Sequence, residues 1–461
     1  MYAFSDCISL QNIDIPCCVE KIDEYAFSCC TSLRSLDIPD SVTEIGRYAF
    51  EGCSSLLDID IPDSVEYIGE HAFEKCRSLK SIDIPNSVTE INACTFKGCT
   101  SLQSVYMPND IIGIGEEAFC GCSSLCDIEI PQSLTYIKRF SFKDCNSLQS
   151  INIPNDITTI KESVFNGCSA LKYIGMHDSI TIIESHAFNG CVSLQNIHIP
   201  NGVTSIGSCA FANCNSLQGF IVPSGVEIIE HATFASCVSL QEIHLPDSVR
   251  KIDSDAFTKC TSLSNIDIPN RVSEIGMRAF CGCTSLQSIV IPNSVTKVKE
   301  RAFEGCNSLK DVIISNEIED VEAWTFGCCS SLQNIVIPNS VTHIKERAFS
   351  KCSSLQTIYL PDSIQYIDFY AFSDCTSLPS IDIPNSVMHI SNHIFEGCIS
   401  LHSIRFHHSN TQIKKAYISD EAFEDVDFDK CILYIPSGTR WEYRHDSAFS
   451  QFKNIVTEIQ R

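Results

Sequence analysis

The sequence predicts a β-rich repeat solenoid built of parallel strands. Two observations predict it. A period of 23 residues runs without a slip over most of the chain, and each period carries an Ile-x-Ile alternation, in most copies closed by proline. Cysteine marks the register at 7, 30, 53, 76 and every 23 residues onward to 398. Phenylalanine stands three residues before each of these cysteines, from Phe4 to Phe395, and leucine three residues after, from Leu10 to Leu401. Eighteen copies without an insertion must each fill the same box, which stacking demands and independent elements do not.

One copy, "SLQSIVIPNSVTKVKERAFEGC" (285–306), gives the elements in order. Leu286, Ile289 and Ile291 are apolar at strand spacing, so Ile-x-Ile reads as a short strand facing a core. Pro292 has no N–H for further pairing and ends it. Asn293-Ser294 is turn chemistry. Val295-x-x-Val298 leads into a second extended piece, and "AFEGC" reads as a turn with a bend at the residue before cysteine. A copy alone cannot bury its own faces. Its stability must lie in the interfaces with its neighbours.

Composition narrows the function. Apolar residues make up 44% of 461, enough for a large core. A formal net charge of −25 argues against nucleic acid and anionic membrane as partners. No apolar run approaches the roughly 20 residues that a membrane helix needs, so no membrane insertion is expected. The chain opens "MYAFSDC", which matches the second half of a copy as in "RYAFEGC" at 47–53. It carries no secretory leader there, and opening in mid-repeat predicts a solenoid that continues upstream.

Of 28 cysteines, the eighteen register cysteines are expected as small buried hydrophobes with free thiols. Stacked equivalents lie about 4.8 Å apart in a parallel sheet, but their Cβ atoms point in parallel and not towards each other. Cys17, Cys18, Cys29, Cys94, Cys120, Cys126, Cys209, Cys281, Cys328 and Cys431 fall at other phases, most of them expected at the surface or in bends. Many thiols without a bridging pattern fit a reducing or anaerobic setting. Cys120, Cys122 and Cys126 have the look of a zinc motif, but Cys122 belongs to the core register and no fourth ligand has fitting spacing.

The pattern "LxxIxIPxxVTxIgxxAFxgCxxL" resembles the BspA-like class of leucine-rich repeats over residues 1 to about 406. The stretch "CILYIPSGTRWEYRHDSAFSQFKNIVTEI" (431–459) is similar to the closing segment of such proteins. The resemblance implies a right-handed leucine-rich-repeat superhelix with the Ile-x-Ile strands on its concave face. It also implies surface adhesion and protein binding, mostly without enzymatic activity. The domains follow as 1–406, the eighteen copies, and 407–461, an irregular last repeat and cap. The irregular copy "SDEAFEDVDFDKCILYIP" is expected to carry its insertion between Phe423 and Leu433, and 437–461 to close the stack.

The residue between the two strand isoleucines must point away from the core. Down the stack it begins Asp14, Asp37, Asp60 and Asp83, an acidic ladder. Like charges about 5 Å apart cost roughly 0.8 kcal/mol per pair even in water. A solvated ladder that blocks strand aggregation, a basic protein partner and a divalent cation are the readings open there. Further on the same column reads Val290, Ile313, Val336 and Tyr359, four exposed apolar residues in succession, the stretch expected to hold a partner. Elsewhere Arg301, Trp324 and Arg347 share one phase, which predicts a guanidinium–indole–guanidinium stack. No phosphate loop, nucleophile–base pair, cofactor motif or metal-ligand spacing is read, so no enzyme is expected. His407-His408, where the register breaks, marks the start of the cap rather than a ligand pair.

The function predicted is a non-enzymatic solenoid at the cell surface or secreted, binding a protein or other extracellular macromolecule. An intracellular, cytoplasmic leucine-rich-repeat binder or inhibitor and a structural spacer are the alternatives.

Overall fold

A computed structural model describes residues 2–458. The chain forms two compact units, 1–226 and 227–461. Each is the parallel-strand solenoid that the period predicts.

In the first unit the Ile-x-Ile strands Ser81–Asp83, Ser104–Tyr106 and Asp127–Ile128 pair in parallel, with Ile82, Val105 and Ile128 in register. A second ladder joins Lys21–Ile22, Glu44–Ile45 and Tyr67–Ile68, again one copy per step. Between the two, Val42 N–H donates to Pro39 O at 2.9 Å, closing the turn that proline opens. The "AFxxC" segment makes a third ladder. Tyr25, Phe27 and Cys29 donate to Arg47, Ala49 and Glu51 of the next copy at 3.0, 2.8 and 2.6 Å.

That third ladder needs two left-handed residues per copy. One precedes cysteine, as at Cys29 (φ 59°) and Gly52 (φ 71°), and this is the expected bend. The other, two residues before phenylalanine, carries ordinary side chains such as Tyr25 (φ 56°) and Tyr48 (φ 56°). No glycine marks it in the sequence. The ladder bonds on either side hold a conformation that costs an L-residue about 1–2 kcal/mol.

Every register cysteine from Cys30 to Cys398 is buried and unbridged. Cys7 is the exception and is exposed, because no copy packs before it among the described residues. Each thiol has a fixed partner. Cys53 Sγ donates to Phe27 O at 3.1 Å and Cys76 Sγ to Phe50 O at 3.2 Å. In the second unit Cys306 Sγ donates to Phe280 O and Cys329 Sγ to Phe303 O, at 3.2 and 3.3 Å. The phenylalanine rings above them stack, with centroids 5.3 Å apart for Phe280 and Phe303.

Among the other ten cysteines, Cys94 and Cys431 are buried and the rest are exposed or half-buried. Cys122 donates to Phe96 O and Cys126 to Gln103 O, so the three thiols of the zinc-like motif do not converge.

In the second unit Ser288–Val290 pairs with Asp311–Ile313, and Asn334–Val336 with Thr357–Tyr359. Ser380–Ile383, Ser403–Phe406, Ile432–Pro436 and Asn454–Glu458 form its longest Ile-x-Ile sheet. The irregular copy differs from expectation. His389 pairs with Tyr417, 28 residues on, so five of the inserted residues precede Phe423. They lie in 407–416, around the one-turn helix α1 (Asn410–Ile413). Ile404 pairs with Leu433, which leaves one inserted residue between Phe423 and Leu433. Val426 takes the cysteine position and is buried.

The closing segment, described as far as Glu458, is a further turn. It holds helix α2 (Arg440–His445), and Phe449 and Phe452 replace phenylalanine and cysteine. Tyr443 of α2 is fully buried.

Candidate functional site: the outward column of the strand face

The strand alternation that buries Ile289 and Ile291 turns Val290 outward, and the same pleat does so in the next copies. Val290, Ile313, Val336 and Tyr359 are exposed by 56, 62, 67 and 60%. Their register is fixed by Val290 opposite Ile313 and Val336 opposite Tyr359. A shallow groove runs beside them, walled by the stripe on one side and by Asn293, Asn316 and Pro338 on the other. Asn316 N–H donates to Asn293 Oδ1 at 2.9 Å, tying the turn of one copy to the next.

Beyond Tyr359 the column becomes polar. Arg405 is held by Glu458, with Nε to Oε2 at 2.9 Å and Nη2 to Oε1 at 3.3 Å, and reaches Asp382 Oδ1 at 3.3 Å. Its guanidinium lies 5.0 Å from the Tyr434 ring. The bonds to Glu458 raise its pKa further, so it stays a fixed cation. The sequence column stopped at Arg405 and missed Tyr434, because the insertion displaces it from the period.

In the first unit Asp14, Asp37, Asp60 and Asp83 are all exposed on the equivalent column. Asp37 and Asp60 face each other across a parallel bridge. The expected arginine–tryptophan stack is present. Arg301 and Arg347 lie 5.2 and 5.3 Å from the Trp324 ring. It extends beyond the sequence reading, with Arg347 4.4 Å from Tyr370, and Tyr370 stacked on His393 at 5.2 Å. In the first unit Tyr2, Tyr25, Tyr48 and His71 stack at the same phase, 4.8, 4.7 and 4.4 Å apart.

His407 and His408 form no pair. His408 is fully buried against Val387 O, and burial pushes its pKa down. His407 Nε2 lies 4.0 Å from Asp382 Oδ2. The buried register thiols are no nucleophiles: burial pushes Cys99 and Cys398 up to about 12.

The profile of the BspA type leucine rich repeat region matches residues 1–103, 89–218, 204–332 and 322–456. The chain belongs to this family. Its members among solved structures include a leucine-rich repeat protein from Bacteroides ovatus. That protein is 28% identical over 92% of each chain, with a TM-score of 0.47. A leucine rich cell surface protein from Faecalibacterium prausnitzii is 26% identical over 89% of this chain and 91% of its own, with a TM-score of 0.39. A leucine-rich repeat protein from Eubacterium ventriosum is 20% identical over 69% of this chain and 83% of its own, with a TM-score of 0.43. The search of curated proteins returns no match. Among the described residues of this leucine-rich repeat chain, no helix is long and apolar enough to cross a membrane.

Proposed function

We propose that the chain is a non-enzymatic binding solenoid that holds a protein or other extracellular macromolecule on its strand face, at the cell surface or secreted. The observation that carries this reading is the stripe Val290, Ile313, Val336 and Tyr359. Four large apolar side chains stand side by side, each more than half exposed, on a face where the core makes no demand on them. Membership of the BspA-type family supports the binding role and the surface location. Tyr359 is the best anchor, since an aromatic ring buries much area and its hydroxyl tolerates partial solvation.

The test is a comparison of matched baits. The whole chain, Ile313→Asp and Tyr359→Ala are used to capture proteins and glycans from the surfaces that bacteria of this family meet. A partner of the stripe is retained by the whole chain and weakened by more than about 1 kcal/mol in each variant. A partner retained equally by all three baits moves the site elsewhere.

A reducing, intracellular binder is the second reading. The exposed and unbridged thiols of Cys17, Cys18 and Cys126 favour it. Thiol counting on protein taken directly from cells separates the two, because an oxidising location would block these three.

A further inference from the structure

Away from the strand face, metal-capable donors of the described residues converge at one place, the edge of the last regular copy. His393 sits there in the left-handed position, φ 56°. Its ring stacks on Tyr370 with 14° between the planes, which fixes the orientation of the imidazole. The next, irregular copy brings Glu421, Glu424 and Asp425 alongside, and Glu396 comes from the same copy as His393. Donor atoms of His393, Glu421 and Glu424 lie within 4.8 Å of one another, as do those of His393, Glu396 and Asp425. His393 N–H donates to Glu421 O at 3.0 Å, so the backbone already holds the two copies together here.

A second observation is independent of the carboxylates. His393 Nδ1 is shielded from solvent and has no hydrogen-bond partner. It lies 3.6 Å from Glu424 Oε2, too far for a hydrogen bond, and Nε2 lies 3.8 Å from Glu421 Oε2. A nitrogen–oxygen edge of 3.6 Å suits one ion held about 2.0–2.2 Å from each atom.

We propose that this cluster is a divalent transition-metal site of the zinc class. His393 Nδ1 and Glu424 are its first ligands, Glu396 and Asp425 complete the set, and Glu421 orients the ring through Nε2. Imidazole together with carboxylates selects such an ion over Ca²⁺, which takes an all-oxygen shell. A carboxylate on the far nitrogen of a ligating histidine fixes its tautomer. The bound ion joins the last regular copy to the irregular one, so it stabilises the C-terminal end of the stack by mass action. Sequence spacing hid the site, because the insertion puts Glu421 28 residues after His393 and off the period.

The test uses the whole chain with its accessible thiols alkylated beforehand, since Cys17, Cys18 and Cys126 are exposed and compete for zinc. Zn²⁺ is titrated by calorimetry and Co²⁺ by its visible spectrum. The expected result is one ion per chain and a raised thermal midpoint. Glu424→Gln, at an exposed position, and His393→Gln each weaken binding by about 10-fold or more, while Asp37→Asn with Asp60→Asn leaves it unchanged. Three results overturn the proposal: no binding, binding equal in both site variants and the wild-type chain, or a thiolate-to-cobalt charge-transfer band.

Discussion

At the register position a thiol meets two demands together. It fills a small apolar space, and its S–H reaches the phenylalanine carbonyl of the copy before. Phe280 O illustrates this, accepting Cys283 N–H at 3.1 Å within its own copy and Cys306 Sγ at 3.2 Å from the next. Alanine fills less and donates nothing, valine donates nothing, and serine puts an oxygen where sulfur packs. Because Phe280 O keeps its backbone donor, Cys306→Ala leaves a small cavity but no orphaned carbonyl. We expect a loss of about 1–2 kcal/mol, read by urea unfolding. A loss above about 3 kcal/mol would mean that the thiol hydrogen bond, and not the volume, dominates. Alkylation should also sort the thiols. Cys17, Cys18 and Cys126 are exposed and react in the folded chain, whereas Cys306 reacts only after unfolding.

At the scale of the element, the left-handed bends decide which side chains fit. Trp324 lies over Gly327, where an added Cβ would come 2.6 Å from the indole Cε3. Neighbouring copies carry Glu304 and Ser350 at that phase without conflict, since no indole lies over them. Gly327→Ala should therefore cost about 1–3 kcal/mol by overpacking, and far less in a Trp324→Ala background. A double-mutant cycle by thermal unfolding checks this; additive costs would mean that the glycine serves its backbone alone. The strand, the proline turn and the bend before cysteine were legible in the sequence because each follows from one residue's chemistry. The first left-handed position was not, because hydrogen bonds from neighbouring copies impose it on tyrosine, arginine and histidine alike. The insertion was misplaced for a related reason. "AFEDV" looked like a normal copy, with Val426 standing for cysteine, so the break was sought after Phe423 when most of it comes before. The outward column was legible as far as Arg405, and Tyr434 was lost with the period.

Over the whole molecule, repetition turns a small residue-level effect into a large one. The buried register thiols are held protonated: burial raises the pKa of Cys76, Cys145, Cys260 and Cys352 well above the ordinary value and pushes Cys99 and Cys398 up to about 12. In the unfolded chain a thiol ionises near about 8.5. Between these values the unfolded state binds fewer protons than the folded state, so stability falls as pH rises. The contribution is complete below about 8.5 and is lost progressively as pH climbs towards the folded values. Each buried thiol adds one proton to the slope, and the copies add together. Tyr443, whose pKa burial also raises, acts in the same direction at higher pH. We therefore expect the thermal midpoint to be flat from pH about 7 to about 8 and to drop steeply by about 10. Replacing Cys283, Cys306 and Cys329 with alanine should lower the midpoint at neutral pH yet make the alkaline decline shallower, because three protons leave the linkage. A triple variant with an unchanged alkaline slope would place the pH dependence in other groups and remove the thiols from the account.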